Sequence, residues 1–166
     1  EEARKTLIAK FNDLITGTTR LVALTAASSI AGSAPDVRAA ADRVHEVGGL
    51  IVVDANGAAP YAHVNLDELG ADVIALNATS WGGPQVGALV FRDPTLLDRI
   101  PAVSLNPYAR GAERLEVGEH QFALLAGLTT SIDFLAGLDE SAKGTRREKL
   151  ETSISTLQNY QDALFD

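Results

Sequence analysis

Short apolar runs alternate with helical patterns along the first half of this chain, and that alternation constrains the fold more than any other feature. Apolar runs at residues 20–26, 50–53 and 72–76 predict buried strands. A helical stripe separates the first two runs, and a short helix at 65–69 precedes the third. This order predicts βαβ units with right-handed crossovers and a mainly parallel sheet. The expected fold class is therefore α/β, with three layers in the order helix, sheet, helix.

Local signals set the limits of the helices. Pro35 and Asp36 predict a helix start, and Gly48-Gly49 predict its end. Gly70 is expected to stop the short helix at 65–69, and Asp93-Pro94 signal another helix start. The apolar spacing also predicts helices at 3–15, 121–138 and 145–165 and a fourth strand at 87–91.

Charge and composition exclude several classes of protein. The net charge of −8 argues against sequence-independent nucleic-acid binding, which needs a basic surface. No apolar run approaches membrane-spanning length, and no signal-peptide pattern is present, so we expect a cytoplasmic protein. The absence of cysteine excludes disulfides and thiolate chemistry from these 166 residues. The absence of methionine, even at the start, suggests a piece of a longer protein, a processed product or a recoded sequence.

Polar residues follow the predicted strands at the points where they end. These residues are Ser28, Asp54 and the segment 77–80, which includes Asn77, Thr79 and Ser80. In parallel α/β sheets, ligands bind beyond the carboxyl ends of the strands. The sequence therefore predicts a ligand site built from these residues. No pair of histidines has metal-ligand spacing, so no metal site is predicted.

Five segments together resemble the class V aminotransferases and cysteine desulfurases, which are fold-type I enzymes that use pyridoxal phosphate (PLP). They are residues 28–32 (SSIAG), 52–54 (VVD), 69–73 (LGADV), 81–89 (WGGPQVGAL) and 114–118 (RLEVG). Their order and spacing are most similar to an actinobacterial cysteine-desulfurase-like subgroup, often described as possible aminotransferases. The resemblance implies that residues 1–140 are part of the large PLP-binding domain. Residues 141–166 would then be a helix that links it, through Lys143-Gly144, to a small domain outside this chain.

The resemblance also implies roles for individual residues. Asp54 would pair with the pyridine nitrogen of PLP, and Asn77 and Thr79 occupy the phosphate-binding positions. Ser28 and Ser29 would flank the ring. Alternatives read from the residues alone remain open, because an aspartate at a strand end also caps turns and polar residues also close strands.

The sequence differs from the family pattern at positions that the PLP chemistry requires. Ser80 stands where the family has the lysine that holds PLP as a Schiff base, and a serine hydroxyl cannot form an imine. Gly57 replaces a glutamine that would contact the ring hydroxyl, and Glu119 replaces a threonine that would reach the phosphate of the neighbouring subunit. The four lysines, Lys5, Lys10, Lys143 and Lys149, all fall in predicted outer helices or linkers.

Two functional hypotheses follow. The first is a cysteine desulfurase-like or class V aminotransferase-like protein whose PLP chemistry is lost or severely weakened. The alternative is a non-catalytic pseudoenzyme that acts as a binding or structural partner. The family implies a homodimer, contacts with the remainder of a larger chain, and an amino-acid-like small molecule. Roles in the site for His63, Trp81, Arg110 and Arg114 remain open beside structural ones.

Overall fold

The computed structural model describes residues 11 and 13–165 and shows four strands, five α-helices and two 3-10 turns. The order is β1 (Leu21–Thr25), α1 (Val37–Glu46), β2 (Leu50–Asp54), α2 (Leu66–Leu69), β3 (Val73–Asn77), a 3-10 turn (Ala78–Trp81), β4 (Gly87–Phe91), α3 (Leu96–Arg99), a 3-10 turn (Gly111–Leu115), α4 (Phe122–Ala136) and α5 (Arg146–Phe165). Each predicted strand is confirmed to within two residues at each end. The predicted helix at 3–15 falls mostly outside the described residues.

The strands form one sheet in the order β1-β2-β3-β4. β1, β2 and β3 are parallel, and β4 pairs with β3 in the antiparallel direction. The register places Thr25 beside Asp54, and Asp54 beside Ala75, so the carboxyl ends of the three parallel strands lie at one edge. This confirms the α/β class and the mainly parallel sheet.

Helix α1 covers one face of the sheet and forms the core with it. The Asp36 side chain caps the helix by accepting a hydrogen bond from the Ala39 amide at 3.0 Å. Apolar residues of α1 and the strands meet between them and are almost fully buried: Val37, Ala40, Ala41, Val44, Ile51, Val53 and Ile74. The helix stripe predicted from sequence is thus the stripe that the fold buries.

The crossover between β2 and β3 is fixed by both ends of α2. The Asn65 side chain accepts hydrogen bonds from the Asp67 and Glu68 amides, and Gly70 ends the helix with φ at +67°. Arg92, just after β4, donates to the carbonyls of Ala71 and Leu66. The end of β4 is thereby tied to the loops on either side of α2.

The opposite face of the sheet is exposed along β1 and at part of β4, which corrects the prediction that β1 is a buried strand. Leu21 in β1 is 61% exposed and Leu89 in β4 is 55% exposed. β1 pairs only with β2, and α1 covers only its inward residues, Val22 and Leu24. The apolar composition of β1 indicated a strand correctly, but it does not reveal that the strand lies at an edge of the sheet. The described residues, 11 and 13–165, do not form a second layer of helices over β1.

Helices α4 and α5 pack against each other and are joined through a buried serine. Ser153 is 1% exposed, donates to the Ala136 carbonyl at 3.2 Å and accepts from the Asp139 amide at 3.1 Å. Ala136 and Ile154 are buried beside it. The assignment of 141–166 as a link to another domain remains a prediction.

Truncation of Ile51 should destabilise the protein in proportion to the volume removed. Ile51 is 0% exposed in the central strand β2. We expect Ile51→Val to cost about 0.5–1.5 kcal/mol and Ile51→Ala about 2–5 kcal/mol of unfolding free energy. Urea unfolding followed by circular dichroism measures both. Equal, negligible losses for the two variants would contradict the described core.

Asp139 should contribute stability that disappears in acid. Hydrogen bonds from Ser141 and Thr156 hold the pKa of the Asp139 carboxyl below its usual value. The carboxylate therefore stabilises the folded state above about pH 4, and this contribution is lost as the pH falls through the folded pKa. Asp139→Asn should destabilise the protein near neutral pH and less so in acid.

The matched control for this prediction is Asp162→Asn, since Asp162 is an exposed aspartate of α5. Unfolding free energies of the two variants and the wild type would be measured between neutral pH and about pH 2. A loss for Asp139→Asn that is the same at every pH would show that the carboxylate charge does not contribute.

Candidate functional site

The predicted site residues do gather at one edge of the sheet. Asp54 ends β2, Asn77 ends β3, and Ser28 lies in the loop after β1. The parallel register brings these three strand ends side by side. The sheet topology therefore supports the expected location of a ligand site.

Asp54 is exposed and partly engaged in its own turn. One carboxylate oxygen accepts a hydrogen bond from the Asn56 amide at 3.0 Å. Its backbone carbonyl accepts from the Ala26 amide at 2.8 Å, which joins the ends of β1 and β2. The turn-capping role left open by the sequence is thus present. Within the described part of the chain, the other carboxylate oxygen has no hydrogen-bond partner.

Asn77 and Thr79 hydrogen-bond to each other. The Asn77 side-chain oxygen accepts from the Thr79 amide at 3.1 Å and from the Thr79 hydroxyl at 2.9 Å. These bonds cap the 3-10 turn Ala78–Trp81, which also contains Ser80. The two Thr79 donors that could face a phosphate are therefore turned towards Asn77.

The two predicted ring-flanking serines differ in their surroundings. Ser28 lies in a tight turn, where its amide donates to the Ser33 carbonyl at 2.8 Å and its hydroxyl accepts from the Ala31 amide at 3.1 Å. Ser29 is exposed. The turn is ordered by its own hydrogen bonds rather than by contacts with Asp54 or Asn77.

Gly57 marks a close approach of two backbones. A Cβ atom at this position would lie 2.3 Å from the Ala27 carbonyl oxygen. The loops after β1 and β2 therefore touch where the family pattern calls for a glutamine. A glutamine could be placed here only if one of the two loops moved.

Several other residues considered from the sequence have structural partners. The His63 ring nitrogen Nε2 lies 2.8 Å from the Ser155 hydroxyl of α5. Arg114 donates to the carbonyls of Leu97 and Ile100 at 3.1 and 2.8 Å. Ser155 was not singled out by sequence reasoning, because nothing local indicates a contact 92 positions away from its partner.

One hollow of the described structure lies away from the strand ends. It measures about 810 Å³ and is lined by residues between 94 and 114, including the exposed Arg110. None of the predicted cofactor residues lines it. This hollow is therefore separate from the expected site at the strand ends.

No group of three or more His, Asp or Glu side chains is placed to hold a metal ion in the part of the chain that the structure describes. No described helix is long and apolar enough to cross a membrane.

Comparison with known proteins identifies the family. The profile of the class-V aminotransferases matches residues 1–165. The chain belongs to the class V aminotransferase family. The uncharacterized protein MT3887 of Mycobacterium tuberculosis is 50% identical over 157 residues, which cover 95% of this chain and 39% of that protein. A probable cysteine desulfurase of Streptomyces coelicolor is 31% identical over 147 residues, 80% of this chain and 35% of that protein.

Solved structures of family members share the fold. The cysteine desulfurase CsdA of Escherichia coli superimposes with a TM-score of 0.70 at 24% identity, over 80% of this chain and 36% of that one. The apo cysteine desulfurase of Thermococcus onnurineus gives 0.71 at 20% identity, over 95% of this chain and 39% of that one. This chain therefore spans little more than a third of the length of these relatives.

The Gly57 contact can be tested with a matched pair of glycines. Gly57→Ala should destabilise the protein by about 1–3 kcal/mol, because its Cβ atom meets the Ala27 carbonyl oxygen. Gly17→Ala has nothing within 4 Å of its Cβ position and should be nearly neutral. Thermal or urea unfolding compares the two. A neutral Gly57→Ala would mean that the two loops do not touch.

Proposed function

We propose that this protein is a cysteine desulfurase-like member of the class V aminotransferase family that does not carry out Schiff-base chemistry on PLP. The observation that carries the proposal is Ser80. By motif alignment it occupies the position of the Schiff-base lysine, and it lies in the turn directly after the strand end of Asn77. PLP, when bound in this family, supplies an electron-withdrawing ring. A serine cannot hold it as an imine.

The two described lysines lie in elements other than the turn that holds Ser80. Lys143 lies in the loop between α4 and α5, and Lys149 lies in α5. Lys5 and Lys10 fall outside the described residues. Schiff-base formation needs an uncharged amine in the pocket, which a protein provides by burying a lysine near the ring.

Two other positions of the family pattern also fit the covalent cofactor poorly. The Ala27 carbonyl occupies the space that a side chain at position 57 would need. The Thr79 hydroxyl and amide both donate to Asn77. These contacts replace interactions that the family pattern directs towards the ring and the phosphate. We therefore derive no reaction step through PLP.

What remains at the strand ends supports at most noncovalent binding. Asp54 keeps one carboxylate oxygen available for a protonated pyridine nitrogen, and Ser29 is exposed in the loop after β1. Release of the Thr79 hydroxyl from Asn77 would leave Thr79 able to donate to a phosphate, while Ser28 and Ser29 would flank the ring. We assign these five residues, Asp54, Asn77, Thr79, Ser28 and Ser29, as the residual cofactor pocket. An amino-acid-like small molecule would be its second ligand.

The second candidate function is a pseudoenzyme that serves as a binding or structural partner in the cytoplasm. The exposed part of that sheet face favours it, because Leu21 and Leu89 expose apolar surface and β1 and β4 are the edge strands of the sheet formed by the described residues. The remainder of a larger chain and a second copy in a homodimer are the partners we propose for this face. A structural role tolerates the loss of the Schiff-base lysine as long as the fold is kept.

The decisive experiment is an absorbance titration of the complete protein with PLP, before and after borohydride reduction. We expect no band that borohydride fixes covalently, since Ser80 cannot form an imine. Ser80→Lys is expected to give such a band, at about one PLP per chain, if the residual pocket is intact. Ser80→Ala is the control and should behave as the wild type does.

Each outcome decides between the hypotheses. Covalent capture by the wild-type protein would show that a lysine elsewhere does the work, and the proposal would be wrong. A saturable shift without capture supports a residual noncovalent pocket. No shift for the wild type, and none for Ser80→Lys, favours the pseudoenzyme.

A further inference from the structure

The loop after β2 contains the one place in the sequence where asparagine is followed directly by glycine, Asn56-Gly57. Asparagine is chemically labile, because its side chain loses ammonia when the backbone nitrogen of the next residue attacks Cγ. Glycine as the next residue favours this attack, since it has no Cβ atom in the way and leaves the backbone most freedom. In a folded protein, the reaction also depends on how firmly the two reacting groups are held.

Packing requires a glycine at this position. A Cβ atom on Gly57 would lie 2.3 Å from the Ala27 carbonyl oxygen. A larger residue, which would slow the attack on Asn56, therefore fits only if the loops after β1 and β2 move apart. The contact that closes the two loops is thus also the contact that keeps Asn56 next to a glycine.

The attacking nitrogen is free of hydrogen bonds within the described part of the chain. Asn56 and Gly57 are the central residues of a turn that ends β2. The Ala58 and Ala59 amides close this turn by donating to the Ala55 carbonyl at 3.1 and 2.8 Å. The Gly57 amide itself has no acceptor among the described residues. A single turn closed by two hydrogen bonds opens at a lower free-energy cost than the core strands do.

The Asn56 side chain is not held by a hydrogen bond either. Its Oδ1 atom is buried and has no donor in residues 11 and 13–165. A buried acceptor without a donor raises the free energy of the native side-chain position. Asn65 and Asn77 differ, because each caps a helical turn. Oδ1 of Asn65 accepts from the Asp67 amide at 2.9 Å. Oδ1 of Asn77 accepts from the Thr79 amide at 3.1 Å.

We propose that Asn56 is a site of spontaneous deamidation. The Gly57 backbone nitrogen gives up its proton and forms a bond to Cγ of Asn56. The Cγ–Nδ2 bond breaks, and the side-chain nitrogen leaves as ammonia with that proton. Water then opens the resulting cyclic imide, on one side to aspartate and on the other to isoaspartate. The reaction consumes only water and needs no oxidant or reductant, so it does not rest on PLP binding.

Either product changes the loop that carries Asp54. The Asn56 amide donates to an Asp54 carboxylate oxygen at 3.0 Å. Aspartate at position 56 puts a second negative charge two residues from Asp54, and its oxygen replaces a buried atom that has no donor. Isoaspartate adds a carbon atom to the main chain next to the contact of Gly57 with Ala27. We therefore expect deamidation to destabilise this turn.

The test incubates the complete folded protein at neutral and alkaline pH, followed by proteolytic digestion and mass spectrometry. We expect the peptide that contains Asn56 to gain, with time, the mass difference between an amide and a carboxyl group. It should separate into aspartate and isoaspartate forms. The gain should be faster in alkali, because the attacking nitrogen must lose its proton. Peptides that contain Asn65 and Asn77 are internal controls and should keep their amides.

Two variants assign the reaction and its consequence. Asn56→Gln should stop the mass gain, because the longer side chain would have to close a larger and less favourable ring. Asn56→Asp reproduces one product and should lower the melting temperature. Asn159→Asp is the matched control, since Asn159 is exposed on α5, and it should leave the melting temperature nearly unchanged.

Four results would count against the proposal. Loss of the amide from Asn56 that is no faster than the loss from Asn65 and Asn77 would overturn it. A mass gain that appears only in urea would also overturn it, because the folded turn would then protect Asn56. A gain that persists in Asn56→Gln would place the reaction at another residue. An unchanged melting temperature for Asn56→Asp would reject the effect on the turn.

Discussion

The central strand β2 is the element on which the rest of the structure depends. It pairs in parallel with β1 on one side and β3 on the other, and its residues Ile51 and Val53 are completely buried under α1. The same pairing lines up three strand ends at one edge and places Asp54 in the middle of them. Core packing and site position therefore have one cause, because parallel pairing sets both which side chains face α1 and where the strands stop.

At that edge, small residues allow backbone segments to pack very closely against each other. Gly57 touches the Ala27 carbonyl, and a Cβ atom at Gly83 would lie 2.8 Å from Ala78 Cβ. The Thr79 amide and hydroxyl both donate to the Asn77 side-chain oxygen, which caps the same turn. The Thr79 donors at the end of β3 are thus satisfied internally, which lowers the free-energy gain that a phosphate would obtain from them. A cofactor would have to compete with bonds that the protein already makes.

Sequence patterns predicted most of the fold and the location of the candidate site. The sequence predicted the buried stripe of α1, the start of that helix near Asp36, the stop at Gly70 and the strand β4, because each depends on neighbours within a few residues. The sequence pattern did not predict the exposure of Leu21. Whether an apolar strand is central or at an edge depends on pairing partners distant in sequence, and composition is similar in both cases.

The sequence by itself determined the chemistry that is available. Serine at position 80 cannot form an imine in any fold, and the alternation of strands and helices leaves few topologies for the sheet. Only the tertiary structure decided which polar groups have hydrogen-bond partners and which have none among the described residues. The engagement of His63 by Ser155, the closed space at Gly57 and the unpartnered nitrogen of Trp81 arise where segments distant in the chain meet. Hydrogen bonds and cavities depend on distances of a few ångströms between such segments, and local sequence does not specify those distances.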